Sequence, residues 1–163
     1  MMELEPLHIR ISVRDQTLRL AGAAQKIYYP ISTARLGVGC GFGSFRTPTG
    51  LHRVRIKIGA GLPINSILAA RRPTGMLLDD ELQHSNPGRD WILTRILWLD
   101  GLELGINKGG LVDTLRRHIY IHGTADEASI GKPASHGCIR MRNADLVDLF
   151  DRVQNGVQVV IEA

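Results

Sequence analysis

A mainly β fold, an antiparallel sandwich or partly closed barrel with one packed helix near the C-terminus, is what this sequence predicts. Three observations carry that expectation. Apolar and polar residues alternate with period two in a series of short stretches, the spacing of half-buried strands. Glycine, proline and Asp-Gly punctuation separates those stretches. Helical spacing of apolar residues is clear in only one segment, after Asn143, so strands are not interleaved with helices as a doubly wound parallel sheet requires.

The opening stretch His8-Ile9-Arg10-Ile11-Ser12-Val13 alternates, Arg14-Asp15-Gln16 supplies turn residues, and Thr17-Leu18-Arg19-Leu20 alternates again. This reads as a hairpin. A third strand is expected over 27–33, with Pro30 at an edge or beside a bulge because proline cannot donate to a ladder. Residues 34–50 hold Gly37, Gly39, Gly41, Gly43 and Gly50 and read as loop. A dinucleotide fingerprint fails there, since Gly-x-Gly-x-x-Gly begun at Gly37, Gly39 or Gly41 ends on Phe42, Ser44 or Arg46 and no helix pattern follows. Thr47-Pro48-Thr49-Gly50 reads as a turn into a strand over 51–58, with Val54, Ile56 and Ile58 inward and Arg53, Arg55 and Lys57 wet.

From Gly59 to Asp90 the pattern weakens, and an excursion is expected with a short turn of helix around 64–70. Trp91 to Leu99 reads as a strand, Asp100-Gly101 as a tight hairpin turn and 102–106 as the return strand. His118-Ile119-Tyr120-Ile121-His122 alternates, placing His118, Tyr120 and His122 on one face of a strand that His122 ends. Asn143 is expected to cap a helix with Leu146, Leu149, Phe150 and Val153 on one stripe and Gly156 just past its end. Val157, Val159 and Ile161 form a last strand, for a count of about seven or eight strands.

The chain of 163 residues fits a single domain spanning 1–163 with one core. Apolar residues at 44% and charged residues at 22% are ordinary globular usage, which excludes wholesale disorder. The net charge of +4 comes from 20 basic residues spread along the chain. The pairs Arg71-Arg72 and Arg116-Arg117 are too short for a nucleic-acid patch, and aromatic residues for base stacking are few, so no nucleic-acid partner is expected. A mildly basic surface suits an anionic small substrate. No stretch approaches the length of a membrane span, and the first residues hold no apolar run of a secretory signal. A cytoplasmic location is therefore expected if Met1 is the native start, and a periplasmic one if an export signal precedes it. Cys40 and Cys138 both read as thiols, Cys40 as a structural residue in a small-residue run.

The chemically dense part of the chain is Ser135-His136-Gly137-Cys138-Ile139-Arg140-Met141 with Ile121-His122-Gly123-Thr124 upstream. A cysteine acts as a nucleophile when a base or cation favours its thiolate, and His122, at a strand end joined to Cys138 by a short loop, is the candidate base. Gly137 lets the backbone approach closely, and the amides of Gly137 and Cys138 form a candidate oxyanion site. Arg140 has the planar fork that suits a carboxylate. Other readings compete: Cys138 as a buried hydrophobe, His122 as a satisfied half-buried histidine, His136 as a surface residue, or zinc held by His122, His136 and Cys138. Against zinc, no paired spacing such as Cys-x-x-Cys and no fourth ligand is evident.

Ile-His-Gly-Thr followed by Ala-Ser-His-Gly-Cys-Ile-Arg-Met at this spacing resembles the YkuD family of L,D-transpeptidases, β-rich peptidoglycan enzymes. The Thr47-Pro48-Thr49-Gly50 turn and the opening hairpin resemble that domain too, so the likeness spans nearly the whole chain. The resemblance implies Cys138 as nucleophile, His122 as general base oriented by the carbonyl of Gly123, and Gly137 in the oxyanion site. It implies substrate contacts at Ser135, His136 and Arg140, with Arg140 near the substrate carboxylate. The implied partners are peptidoglycan tetrapeptide stems or soluble muropeptides, with carbapenem-type β-lactams as inhibitors, and neither metal nor cofactor is called for. Family members attack the carbonyl of the L-centre of a diamino acid and release terminal D-Ala. With no export signal evident, the expectation is a cytoplasmic L,D-carboxypeptidase of cell-wall recycling that uses water as acceptor. The alternatives are a transpeptidase that cross-links after export, and a non-catalytic muropeptide-binding module. A lid that chooses the acceptor is expected within Gly59 to Arg117.

Overall fold

The computed structural model describes residues 4–163. β1 (His8–Ser12) and β2 (Thr17–Gly22) form the expected hairpin, and β3 (Gln25–Ser32) extends it. Then come β4 (Gly50–Ile58), β5 (Ser66–Ala69), β6 (Arg72–Leu77), α1 (Asp80–Ser85), β7 (Ile92–Gly101), β8 (Tyr120–Gly123), β9 (Ile139–Met141), α2 (Asn143–Arg152) and β10 (Gln158–Glu162). The strands run β4-β10-β1-β2-β3-β9-β8-β7, and β7 pairs back to β4, closing a barrel of eight strands. β5 and β6 hang from β7 as an appended hairpin. Two pairings, β1 with β10 and β8 with β9, are parallel, so the barrel is mixed rather than wholly antiparallel.

One core fills the barrel. Ile9, Ile11, Leu18, Leu20, Ile31, Leu97, Leu99, Ile121, Ile139, Met141, Val159 and Ile161 point into it, and α2 adds Leu146, Leu149, Phe150 and Val153. These are the inward positions of period-two strands and one helical stripe, as the pattern requires. Lys57 fastens α2 to the barrel, donating from Nζ to the carbonyls of Phe150 and Val153, both at 2.6 Å, where the negative end of the helix favours a cation.

Four local expectations are corrected. Residues 64–70 are not helical but contain β5, and the short helix α1 follows at Asp80–Ser85. Asp100 and Gly101 belong to β7 rather than to a hairpin turn, and 102–106 is not a return strand. Both edges of β7 are already occupied, by β4 and β8. The chain beyond it folds instead around buried Asn107, whose Nδ2 donates to the carbonyls of Thr49 and Leu51 while its Oδ1 accepts the Glu103 amide. In β4 the register shifts between Val54 and Ile56, which leaves Ile56 exposed and brings Lys57 to α2. Asn143 is the first helical residue, not the cap; Arg142 holds the cap position.

Candidate active site

The site lies on the face of β7–β8–β9 turned away from the core. Parallel pairing sets Ile121 beside Ile139, His122 beside Arg140 and Gly123 beside Met141. Because side chains alternate, Ile121, Ile139 and Met141 enter the core, while Tyr120, His122 and Arg140 share the other face. Cys138 precedes β9 on that same face, and its Sγ accepts the Tyr120 amide N–H at 3.3 Å. Tyr120, with Leu68 and Ile96, forms an apolar floor against which Cys138 and Trp98 pack.

His122 is 1% exposed, and its Nδ1 lies 2.7 Å from the carbonyl oxygen of Gly123. A carbonyl only accepts, so Nδ1 carries the proton and Nε2 keeps the free lone pair of a base. Gly123 is held by close approach: a Cβ there would meet Asn143 Oδ1 at 2.2 Å and the Leu93 carbonyl at 2.7 Å. Asn143 earns this place by tying three segments together. Its Nδ2 donates to Thr124 O and to Glu127 Oε1, and its Oδ1 accepts from Thr94 Oγ1 at 2.6 Å. Thr94 sits at φ +73 in a β7 bulge opposite this point, a left-handed conformation that costs a β-branched residue about 1–3 kcal/mol.

The Ser135 to Cys138 turn is knotted by side chains. Ser135 Oγ donates to the Cys138 carbonyl at 2.5 Å and accepts the Gly137 amide at 3.2 Å. Thr47 Oγ1 donates to the Gly137 carbonyl at 2.9 Å and accepts the Ala34 amide at 3.0 Å. Gly137 adopts φ +132, which an L side chain rarely takes. Its N–H is thus engaged by Ser135. Among the described residues no hydrogen bond uses the Cys138 N–H, so of the two amides expected to face an oxyanion, that of Cys138 is the one available.

Burial favours the Cys138 thiol over its thiolate. It raises the Cys138 pKa to about 11, with the Tyr120 N–H, Arg140 and Arg117 pulling the other way. Burial likewise lowers the His122 pKa, a direction the Gly123 carbonyl partly offsets. Sγ donates to the His118 carbonyl at 3.4 Å rather than to His122. Burial thus favours the neutral form of each group, thiol and imidazole, over a standing ion pair.

Arg140 is 6% exposed, and its Nη2 pairs with Asp90 Oδ1 at 2.8 Å. Asp90 also lies 3.4 Å from His136 Nδ1. These residues, with Arg89, Trp91 and Thr124, line a cleft of about 420 Å³. His136 is turned to Asp90 and no group of three or more His, Cys, Asp or Glu is placed to hold a metal among the described residues. Arg117 braces the glycine loop on the other side, donating to Gly39 O, Ser44 Oγ and Arg46 O. Cys40 is a half-buried free thiol there, with Sγ 3.9 Å from Thr49 O. Asp90 and the anchoring function of Thr47 are absent from the sequence reading; only the Thr-Pro-x-Gly turn marked the latter.

A family model for the L,D-transpeptidase catalytic domain, YkuD, matches residues 6–161. The chain belongs to this family. Putative L,D-transpeptidase YkuD of Bacillus subtilis is 52% identical over 46 residues, 28% of each protein. Probable L,D-transpeptidase YbiS of Escherichia coli K12 is 49% identical over 39 residues, 24% of this chain and 13% of that protein. The matched segments thus span under a third of these curated relatives. L,D-transpeptidase 3 from Mycobacterium tuberculosis, in complex with a faropenem-derived adduct, superposes with a TM-score of 0.60 at 15% identity, over 96% of this chain and 60% of that one. An LD transpeptidase, LdtMt1, in complex with imipenem superposes with a TM-score of 0.56 at 17% identity, over 96% and 58% of the two chains. The mostly β barrel with one main helix is the fold of the L,D-transpeptidase domain.

Proposed function

We propose that this L,D-transpeptidase-family domain is a cysteine-dependent acyl-transfer enzyme that cleaves between the L-centre of a diamino acid and the terminal D-Ala of tetrapeptide stems. The observation that carries the reading is the His122 Nδ1 to Gly123 O hydrogen bond of 2.7 Å on the face that also bears Cys138, because it reserves Nε2 for a proton. In the proposed reaction Nε2 takes the thiol proton as Sγ attacks the scissile carbonyl, and the Cys138 N–H steadies the oxyanion. Collapse expels the D-Ala amine, which leaves with the proton from His122, and a thioester remains on Cys138. Ser135 holds the turn and His136 flanks the substrate cleft.

The acceptor then decides the product. Water, deprotonated by His122, regenerates the thiol and leaves a tripeptide, the carboxypeptidase outcome that we favour, in a cytoplasmic recycling role. An amine gives a cross-link, a reading favoured by the transpeptidase names of the relatives. Incubation with soluble tetrapeptide and mass analysis of the products tests both. Loss of one D-Ala to give tripeptide supports hydrolysis, dimers alone support cross-linking, and neither product removes the proposed reaction. Carbapenem labelling supplies a second reading: an adduct on Cys138 requires a reactive thiol, whereas a mere muropeptide-binding module stays unmodified. Cell fractionation tests the location.

A further inference from the structure

Arg140 and Arg117 act on the candidate nucleophile directly, and a third arginine, Arg71, stands against the aromatic residues beside it; Arg140 and Arg71 differ in what they already hold. Arg140 is buried, and its two terminal nitrogens are already engaged, Nη2 by Asp90 Oδ1 at 2.8 Å and Nη1 by the Ala134 carbonyl at 3.4 Å, which leaves only Nε without a partner. Arg71 lies at the tip of the β5–β6 hairpin. Its Nη1 donates to the Tyr120 hydroxyl at 3.3 Å, and its guanidinium carbon stands 5.3 Å from the Trp98 ring centroid. Among the described residues no carboxylate lies within ion-pairing distance of Arg71. A guanidinium carries five N–H donors, so most of this fork is open.

The fork is also held in place. Trp98, His118 and Tyr120 form an aromatic cluster, with ring centroids 5.7 to 6.3 Å apart, and cation–π contact with Trp98 sets the guanidinium against it. Tyr120 is the residue whose amide meets Cys138 Sγ and whose ring packs beside it, so the cluster joins Arg71 to the thiol. The backbone adds a separate sign. The Ala69–Arg72 pair closes a two-residue turn in which Ala70 and Arg71 both have positive φ, +47 and +65. Glycine or asparagine normally fills such positions. An arginine kept in a conformation that disfavours it points to a use for its side chain.

We infer that Arg71 is the carboxylate anchor of the site, binding the C-terminal carboxylate of the departing D-Ala, while Arg140 holds the Asn86 to Trp91 loop through Asp90. The inference rests on the acyl-transfer reading for its ligand. A terminal carboxylate lies two bonds beyond the scissile nitrogen, a short reach from the nucleophile, and the Tyr120 hydroxyl, which accepts from Arg71, has its own hydrogen free to donate to the same carboxylate. Arg71 thereby makes the site selective for a stem that ends in a free acid.

Calorimetric binding to a Cys138→Ala protein tests this without requiring turnover. The tetrapeptide with a free C-terminus is expected to bind about tenfold to a hundredfold more tightly than its C-terminal amide, the range of a charge-assisted bond. Adding Arg71→Gln should bring the two affinities together, Arg71→Lys should keep part of the difference, and Asp90→Asn should leave it. No preference for the acid in the Cys138→Ala protein, or a preference that survives Arg71→Gln, overturns the assignment. A preference abolished by Arg140→Gln with Arg71 intact also overturns it and puts the carboxylate on Arg140. Thioester formation by the unaltered protein is scored separately by mass. An enzyme that acylates without acid preference loses only the Arg71 assignment; one that binds through Arg71 but never acylates loses only the proposed chemistry.

Discussion

The two faces of β8 are equally buried and do opposite work. Ile121, with Ile119 just before the strand, points into the core, where the buried neighbours are apolar and shape matters most. Tyr120 and His122 point the other way, where hydrogen bonds fix the polar groups: the Gly123 carbonyl holds His122 Nδ1, leaving Nε2 free, and the Arg71 guanidinium meets the Tyr120 hydroxyl. Burial on the core face contributes stability without direction, because the hydrophobic effect is roughly proportional to area. Burial on the site face shifts protonation, lowering the His122 pKa and raising that of Cys138, and hydrogen bonds then set which nitrogen holds a proton. Alternating residues of one strand thus serve the fold and the chemistry with little overlap.

The sharpest test of that division is to remove function without removing fold. Cys138→Ala and His122→Gln are each expected to lower acylation by about a thousandfold or more, with the thermal midpoint within a few degrees of the parent. Stopped-flow or mass-resolved acylation beside a melting curve measures both. The converse change, Ile121→Ala, is expected to cost about 2–5 kcal/mol of stability as a core cavity opens, while kcat at a temperature where the protein stays folded changes little. If Ile121→Ala instead abolished turnover in a folded protein, the two faces would not be separable.

His52 supplies a third site of burial and a pH test. Its ring is fully enclosed, with Nδ1 donating to Gly50 O and Nε2 accepting from Thr114 Oγ1, both at 3.0 Å. Burial lowers its pKa from 6.5 to about 4. Above the unfolded value the ring is neutral in both states and the contribution to stability is complete. As pH falls from 6.5 towards 4 the unfolded chain takes up a proton that the folded chain resists, and stability should drop by about 3 kcal/mol. Urea midpoints between pH 7 and pH 4 measure this, and the slope should flatten in His52→Asn. If His122 is the base proposed above, the same direction is expected to place the acid limb of kcat/KM below the ordinary histidine range, since a base must be neutral to act. The smallest effect is expected at Thr47→Val, which deletes the hydroxyl bridging Gly137 and Ala34. It should cost about 1–2 kcal/mol and slow acylation more than it lowers the melting point, because the loss falls on the turn bearing Cys138.

What the sequence determined by itself was local. Period-two alternation assigned the strands around Ile9, Leu18, Ile121 and Val159 and their inward faces, and helical spacing assigned Leu146, Leu149 and Phe150, because these patterns depend only on bonded geometry. The joint presence of Cys138, Gly137 and His122 at close spacing marked where chemistry would be sought, although spacing alone left zinc and bland packing open. Tertiary structure decided the rest. No nearby residue announces that Asp90 fills the fork of Arg140, that Asn143 presses on Gly123, or that Arg71 reaches Tyr120, for each contact joins segments far apart in the chain. The same cause explains the misread segments. The edges of β7 were already taken by β4 and β8, which turned an Asp-Gly hairpin signal into the end of a strand.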